Sequence, residues 1–138
     1  MKYIIKAVLS ILVLITSFSA KCDTIDFWHV YYNKEKKIEC NEGKHCILTL
    51  QRDSLKTSDT IRIYYFNDTG YKNGAIITDG DLHKIYTVRE RVDSLNGFSV
   101  ILAIPVRVLI ASQSKTFTVY FKDDNKFLGR DLLRIALE

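Results

Sequence analysis

One stretch, residues 59–67, constrains the fold of this chain more than any other part of the sequence. Its side chains alternate with period two. One side carries Ile61, Ile63 and Tyr65, and the other side carries Arg62, Tyr64 and Phe66. Alternating β-branched and aromatic residues between polar turn formers are typical of a β-strand. Because both sides carry bulky groups, we predict a central strand whose Ile61 side faces the core.

Similar short runs recur along the chain, separated by polar or glycine-containing turns. They predict further strands at 25–32, 38–40, 46–52, 75–78, 82–92, 98–104, 116–122 and 130–138. The last run also contains good helix formers, but a neighbouring strand without a partner favours a strand there. The alternation slips around Ile85 and Tyr86, which indicates a β-bulge.

Pro105 interrupts this pattern because it has no amide hydrogen for a strand ladder. Val106, Leu109 and Ile110 follow at helical spacing, so we predict a short helical crossover over 105–112. Short strands without alternating helices give no reason to expect a parallel sheet. The sequence therefore predicts an all-β domain, a single antiparallel, immunoglobulin-like β-sandwich of about seven to nine strands.

The start of the chain is typical of an export signal rather than of folded structure. Two lysines precede an apolar run at 7–15, which is too short to span a bilayer comfortably. Small residues follow and place the cleavage point after Ser19. We predict a signal peptide at 1–19 and the β-sandwich at 20–138, with no transmembrane segment after cleavage.

Export and a small, dispersed charge narrow the range of partners. We predict a periplasmic or secreted protein. Lys21 stands directly before Cys22 and disfavours lipid attachment there, since bacterial lipoprotein signals have a small residue at that position. The formal net charge is +4, and Lys2 and Lys6 of the signal contribute to it. The other basic residues are scattered, whereas a nucleic-acid-binding protein needs a clustered basic face. We therefore expect no nucleic-acid partner.

Three cysteines, Cys22, Cys40 and Cys46, would meet an oxidising compartment after export. Cys40 and Cys46 enclose a short polar loop, and we predict a disulfide between them. On sequence alone, free thiols or a bridge from Cys22 to either of the others are the alternatives. A zinc site built from Cys40, His45 and Cys46 lacks a fourth ligand and a standard spacing.

No catalytic or metal-binding set stands out in the sequence. Asp79, Asp81 and His83 could face one way at period two, but short Asp-Gly-Asp sequences are usually turns. The run 123–125 offers oxygen atoms without the regular spacing of a calcium loop. No nucleophile elbow and no identifiable set of serine, histidine and acid is present. We therefore predict a protein that is not an enzyme and that needs neither a cofactor nor a metal.

Tyrosine is frequent in this chain, with eight residues, beside a single tryptophan. Both residue types provide contact area at low entropic cost and are enriched in binding hot spots. Tyrosine also suits strands with its hydroxyl at the rim, so ordinary packing is the alternative interpretation. The candidate binding residues are Trp28, Tyr32, Arg62, Tyr64, Phe66 and Tyr71.

Three segments, Asp-Thr-Ile-Arg-Ile-Tyr-Tyr-Phe, Thr-Phe-Thr-Val-Tyr-Phe and Leu-Leu-Arg-Ile-Ala-Leu-Glu, resemble those of small exported β-sandwich proteins of Bacteroidota. The triplets at 23–25, 53–55, 59–61 and 93–95 are also similar to the short O-glycosylation sequence of that phylum. The resemblance implies an exported sandwich, for which immunity against periplasm-targeted toxins is one role.

Taken together, these features predict an exported binding protein without chemistry of its own. Its partner would be another protein, most concretely a secreted antibacterial effector whose active site the sandwich covers. A structural or accessory component of a cell-envelope complex is the alternative. A hydrolase with an unrecognised site is the third hypothesis.

Overall fold

Two β-sheets form the described part of the chain, which comprises residues 26–66, 74–93, 99–122 and 129–138 of the computed structural model. The strands are β1 (Phe27–Tyr32), β2 (Glu35–Asn41), β3 (Ile47–Leu50), β4 (Thr60–Phe66), β5 (Ala75–Asp79), β6 (Lys84–Val88), β7 (Glu90–Asp93), β8 (Ser99–Pro105), β9 (Thr116–Phe121) and β10 (Asp131–Leu137). A 3₁₀ turn at Arg52–Ser54 and a short helix, α1 (Arg107–Ile110), complete the elements. Neither helical element is long and apolar enough to cross a bilayer.

Each sheet contains five strands. Sheet 1 has the order β2-β1-β4-β8-β7, and sheet 2 has the order β3-β10-β9-β5-β6. Val30 and Leu102 from sheet 1 and Ile77 and Val119 from sheet 2 are fully buried in one core cluster. The prediction of an all-β sandwich is confirmed.

The segment that most constrained the fold, β4, lies at the centre of sheet 1. It pairs with β1 on one side and with β8 on the other, both antiparallel. Ile61, Ile63 and Tyr65 are buried, so the predicted inward side of the strand is confirmed. The Tyr65 ring lies 5.1 Å from the Phe121 ring of β9, which joins the centre of sheet 1 to sheet 2 across the core.

Two strand predictions need correction. β3 pairs with β10 in parallel, so the expectation of a purely antiparallel sandwich is wrong for this pair. Their long separation in sequence leaves their relative direction free of any hairpin constraint. The segment predicted as one strand at 82–92 forms two, because the chain leaves sheet 2 after β6, passes through Arg89 and enters sheet 1 as β7. This split gives ten strands in the described residues instead of seven to nine.

Other local predictions agree with the structure. Ile77 pairs with Tyr86 and Thr78 pairs with Lys84, so Ile85 is the extra residue of the expected bulge. Pro105 ends β8, and α1 follows it as the expected helical crossover. The C-terminal run is the strand β10. The predicted signal peptide at 1–19 and Cys22 lie outside the described residues.

The predicted disulfide between Cys40 and Cys46 is confirmed. Cys40 lies in β2, the edge of sheet 1, and Cys46 directly precedes β3, the edge of sheet 2. The bridge therefore ties the two sheets together along one side, while the β6–β7 connection joins them along the other. Closing so short a loop stabilises the fold by about 2 kcal/mol in the chain-entropy account.

Thr78 gives a test of the packing on sheet 2. Its side chain is fully buried. Its Oγ1 is also buried and has no hydrogen-bond partner among the described residues. Since burying an unpaired hydroxyl costs about 1–3 kcal/mol, Thr78→Val should raise the free energy of unfolding by about 1 kcal/mol in urea denaturation. Thr118→Val, at a half-exposed neighbour in β9, should change it by less than about 0.5 kcal/mol. A lower midpoint for Thr78→Val would contradict this account.

Candidate functional site

The outward sides of β1 and β4 form the candidate site. Trp28 and Val30 are buried, so alternation turns Phe27, His29 and Tyr31 of β1 to the opposite side of sheet 1, as it does for the outward residues of β4. The register sets Phe27 beside Phe66, His29 beside Tyr64, and Tyr31 beside Arg62. We call the five rings the aromatic face, which consists of Phe27, His29, Tyr31, Tyr64 and Phe66.

The rings of the aromatic face hold one another in place. Phe27 and Phe66 stack with centroids 4.7 Å apart and planes 14° from parallel. His29 meets Phe66 edge-on at 5.3 Å, and Tyr31 meets Tyr64 edge-on at 5.0 Å. Aromatic pairs in these geometries contribute about 0.5–1.5 kcal/mol each beyond the area that they bury. These contacts favour the same arrangement of the rings in the absence of a partner.

The aromatic face is partly exposed to solvent and continues onto β8. Phe27 is 43% exposed, and the other four rings are half-buried. The register places Ile101 beside Tyr64 and Ala103 beside Arg62, so three neighbouring strands contribute to the surface. Scattered apolar side chains are normal on protein surfaces, whereas contiguous exposed apolar patches mark interaction sites.

The charges that β2 places beside the aromatic face are paired with one another. Glu39 of β2 lies 3.7 Å from His29 Nε2 and forms an ion pair with Lys36, whose hydrogen bond lowers the pKa of the Glu39 carboxyl. Lys37 pairs with Glu35 at 2.6 Å. Exposed pairs of this kind contribute little stability. Their effect here is a border with little net charge along the β2 side of the face.

Arg62 lies at one end of the aromatic face and stabilises a turn of the main chain. Its Nη1 donates to the main-chain oxygen of Asn33, in the turn between β1 and β2, at 2.6 Å. At the other end, a depression of about 460 Å³ extends the face towards the disulfide loop. Its lining residues are Phe27, His29, Glu39, Cys40, Asn41 and Lys44.

A second cleft, of about 290 Å³, lies on the other side of the disulfide loop. Arg130 Nη1 donates to Asp26 Oδ2 at 2.9 Å and to Tyr65 Oη at 3.1 Å, and it forms an ion pair with Glu42 of the loop. Burial, together with the hydrogen bond to Asp26, raises the pKa of the Tyr65 phenol. These contacts fasten the disulfide loop to the centre of sheet 1.

The lining of this cleft offers no nucleophilic set. It contains His45 but no serine, and it has no free cysteine because Cys46 is in the disulfide. Its acidic residues, Glu42 and Asp131, each form an ion pair with an arginine. Among the described residues, the charged side chains of this cleft thus hold the disulfide loop in place. The candidate site remains the aromatic face.

The structure corrects two of the predicted binding residues. Trp28 is only 2% exposed, its Nε1 donates to Leu132 O at 2.8 Å, and its ring packs near Tyr65. Its prediction as a surface contact is therefore wrong. Tyr32 lies on the same inward side of β1 and donates its hydroxyl proton to Asp59, so it is not part of the aromatic face.

Arg62, Tyr64 and Phe66 do share one outward surface, whereas Tyr71 lies outside the described residues. Sequence reasoning missed Phe27, His29 and Tyr31 as members of the site. Their alternation with Trp28 was visible, but alternation does not say which side of a strand turns inward. The register against β4 supplies that information.

The group formed by Asp79, Asp81 and His83 is explained by a turn. Its possible ligand atoms lie within 4.8 Å of one another. The Asp79 carboxylate accepts hydrogen bonds from the main-chain N–H of Asp81 at 3.0 Å and of His83 at 2.9 Å. These bonds are typical of an aspartate that stabilises a turn.

Comparison with known proteins gives no match, whether with protein-family models, curated protein sequences or solved structures. The resemblance to exported sandwich proteins of Bacteroidota stays a prediction.

The hydrogen bonds that the Asp59 carboxylate accepts can be tested by changing the pH. Hydrogen bonds from Tyr32 Oη and from the main-chain N–H of Lys56 hold the pKa of its carboxyl below the ordinary value of 3.8. A folded-state pKa that is lowered stabilises the fold above the unfolded-state pKa, and this stability is lost as the pH falls through the folded-state value. Stability should therefore fall below about pH 4, and the fall should be smaller in Asp59→Asn. Thermal unfolding between pH 7 and pH 2 measures this, and equal falls in both proteins would contradict the assignment.

Proposed function

We propose that this protein is exported and binds another protein through the aromatic face, without catalysing a reaction. In the most concrete form of this proposal it is an immunity protein. It covers the active site of a secreted antibacterial effector and inhibits the effector by occlusion. The observation that carries the proposal is the partly exposed cluster of five rings in mutual contact on the outer side of sheet 1.

The dimensions of the aromatic face suit the centre of a protein interface. Strands lie about 4.8 Å apart and rise about 3.3 Å per residue, so rings on two strands with Ile101 on a third cover roughly 15 by 15 Å. A standard interface buries about 800 Å² on each partner, with a small apolar centre inside a polar rim. The face, with the paired charges of β2 along one side, is compatible with this arrangement.

The ring geometry favours a protein over a flat sugar. Phe27 and Phe66 stack on each other, so each ring covers one side of the other. His29 and Phe66 meet edge to face, as do Tyr31 and Tyr64, which leaves a surface of mixed ring edges and faces. Such a surface matches the varied side chains of a protein partner.

The position of β4 supports inhibition by occlusion. A central strand, bonded on both sides, has little freedom to rearrange, so binding costs little ordering entropy. Inhibition then requires only that the covered surface includes the partner's active site. The disulfide is compatible with export, since such bridges persist in oxidising compartments.

Tyr64→Ala tests the proposed surface. The probe is the product of a toxin-like gene next to the gene for this protein, purified and titrated calorimetrically. We expect Tyr64→Ala to weaken binding at least tenfold, because a central aromatic residue of an interface contributes about 2 kcal/mol or more. Co-expression of the wild-type protein should also protect cells from that product.

Tyr120→Ala is the matched control, because Tyr120 is a half-buried tyrosine on the outward side of β9 in sheet 2. It should bind as the wild type does. Equal binding by wild type and Tyr64→Ala would contradict the assignment of the surface. An absence of both binding and protection would contradict the proposed function.

A further inference from the structure

The two ends of the aromatic face carry positive charges that have no acidic partner among the described side chains. At one end, Lys44 lines the depression together with Phe27 and His29. Arg62 lies at the other end, bonded to the turn between β1 and β2 that contains Lys34. Lys34 and Lys44 are exposed and form no ion pair with a described residue, and Arg62 donates to a neutral main-chain oxygen.

The acidic side chains of β2 beside the face are already paired. Glu35 forms an ion pair with Lys37, and Glu39 forms one with Lys36. The bond from Lys36 is the main cause that lowers the pKa of the Glu39 carboxyl, and the charge of Lys44 has the smallest effect. Glu39 therefore does not neutralise Lys44.

The resulting charge balance at the two ends is positive. Asp26 and Glu42 share one cation, Arg130, so this group has one carboxylate in excess. The three cations without an acidic partner exceed it by two charges. The sequence segments directly before β1 and after β4, 21–25 and 67–73, each contain one acidic and one basic residue and leave this formal balance unchanged.

We infer that the protein bound by the aromatic face has an acidic surface, with carboxylates on two sides of an apolar centre. One group of carboxylates would face Lys44, and the other would face Lys34 and Arg62. Because it describes the partner of the aromatic face, this inference rests on the proposed function. Complementary charges of this kind speed association and select the correct partner.

The geometry of β4 sets the spacing of these carboxylates. Arg62 and Phe66 are four residues apart on the strand, which corresponds to roughly 13 Å. Phe66 is the register partner of Phe27, and Phe27 lines the depression that also contains Lys44. The two groups of carboxylates should therefore lie at least about 13 Å apart. The apolar side chains between them would cover Tyr64.

A protein suits these charges better than a nucleic acid or a membrane does. Nucleic acids are bound by a clustered basic face. Anionic lipid surfaces are bound by clusters of about four to eight Lys and Arg residues. Here three cations without an acidic partner are divided between the two ends of an aromatic surface.

Association kinetics test the inference. The probe is the purified product of the toxin-like gene next to the gene for this protein, mixed with the protein in a stopped-flow instrument. The ionic strength is varied between about 0.01 M and about 1 M, which shortens the Debye length from about 30 Å to about 3 Å. The association rate constant of the wild type should fall by about tenfold or more as salt is added.

The double variant Lys34→Glu/Lys44→Glu removes the proposed attraction. At low salt it should associate at least about tenfold more slowly than the wild type, and at high salt the two rates should converge. Its dissociation rate constant should change little, whereas Tyr64→Ala should act mainly on dissociation. Neither lysine side chain bonds a described residue, so urea denaturation should show a folded protein.

The matched control is Lys84→Glu/Lys115→Glu, which changes the net charge equally at two exposed lysines of β6 and directly before β9 in sheet 2. Its association rate constant should stay within about twofold of the wild-type value.

Unchanged or faster association of Lys34→Glu/Lys44→Glu, or equal slowing by the control, would overturn the inference and leave the proposed function intact. An absence of binding by the wild type would contradict the proposed function, and the inference with it. Salt-sensitive binding of the wild type to phosphatidylglycerol vesicles or to double-stranded DNA, lost in Lys34→Glu/Lys44→Glu, would also overturn the inference, because the acidic partner would then not be a protein.

Discussion

The fixed register of β4 is the constraint on which the rest of the structure depends. Ile61, Ile63 and Tyr65 are buried, and β1 and β8 hold the strand from both sides. A slip by one residue would place Arg62 in the core and expose the isoleucines, which the fold cannot tolerate. The outward position of Tyr64 and Phe66 therefore follows from the burial of their neighbours. The core thus determines the geometry of the surface that we propose for binding.

Tyr65 connects this strand to the remainder of the molecule. Its ring packs against Trp28 and Phe121, and its hydroxyl donates to Asp26, which also accepts from Arg130. Arg130 in turn holds the disulfide loop through Glu42. One central side chain thus links both sheets, the loop and the bridge between the edge strands. This bracing gives the aromatic face a firm support on its inner side.

Features with a local signature were predictable from the sequence, and features set by distant contacts were not. The alternation of β4, the slip at Ile85 and the six-residue spacing of the cysteines each leave a mark within a few residues. The parallel pairing of β3 with β10 joins segments that are far apart in the sequence, so no turn could signal it. The binding residues were hard to predict for the same reason. Trp28 was chosen for its residue type alone. The register that makes Phe27 a neighbour of Phe66 depends on the pairing of two strands that are distant in the sequence.

We infer that the two sides of β4 have different roles. The inward side stabilises the fold, and the outward side contributes to the surface that we propose for binding. Urea denaturation of two adjacent alanine variants tests this inference most directly. Ile63→Ala removes a fully buried side chain and should lower the free energy of unfolding by about 2–5 kcal/mol. Tyr64→Ala removes a half-buried outward ring and one aromatic pair, so the loss should be about 1 kcal/mol. An equal loss of unfolding free energy in the two variants would contradict these separate roles.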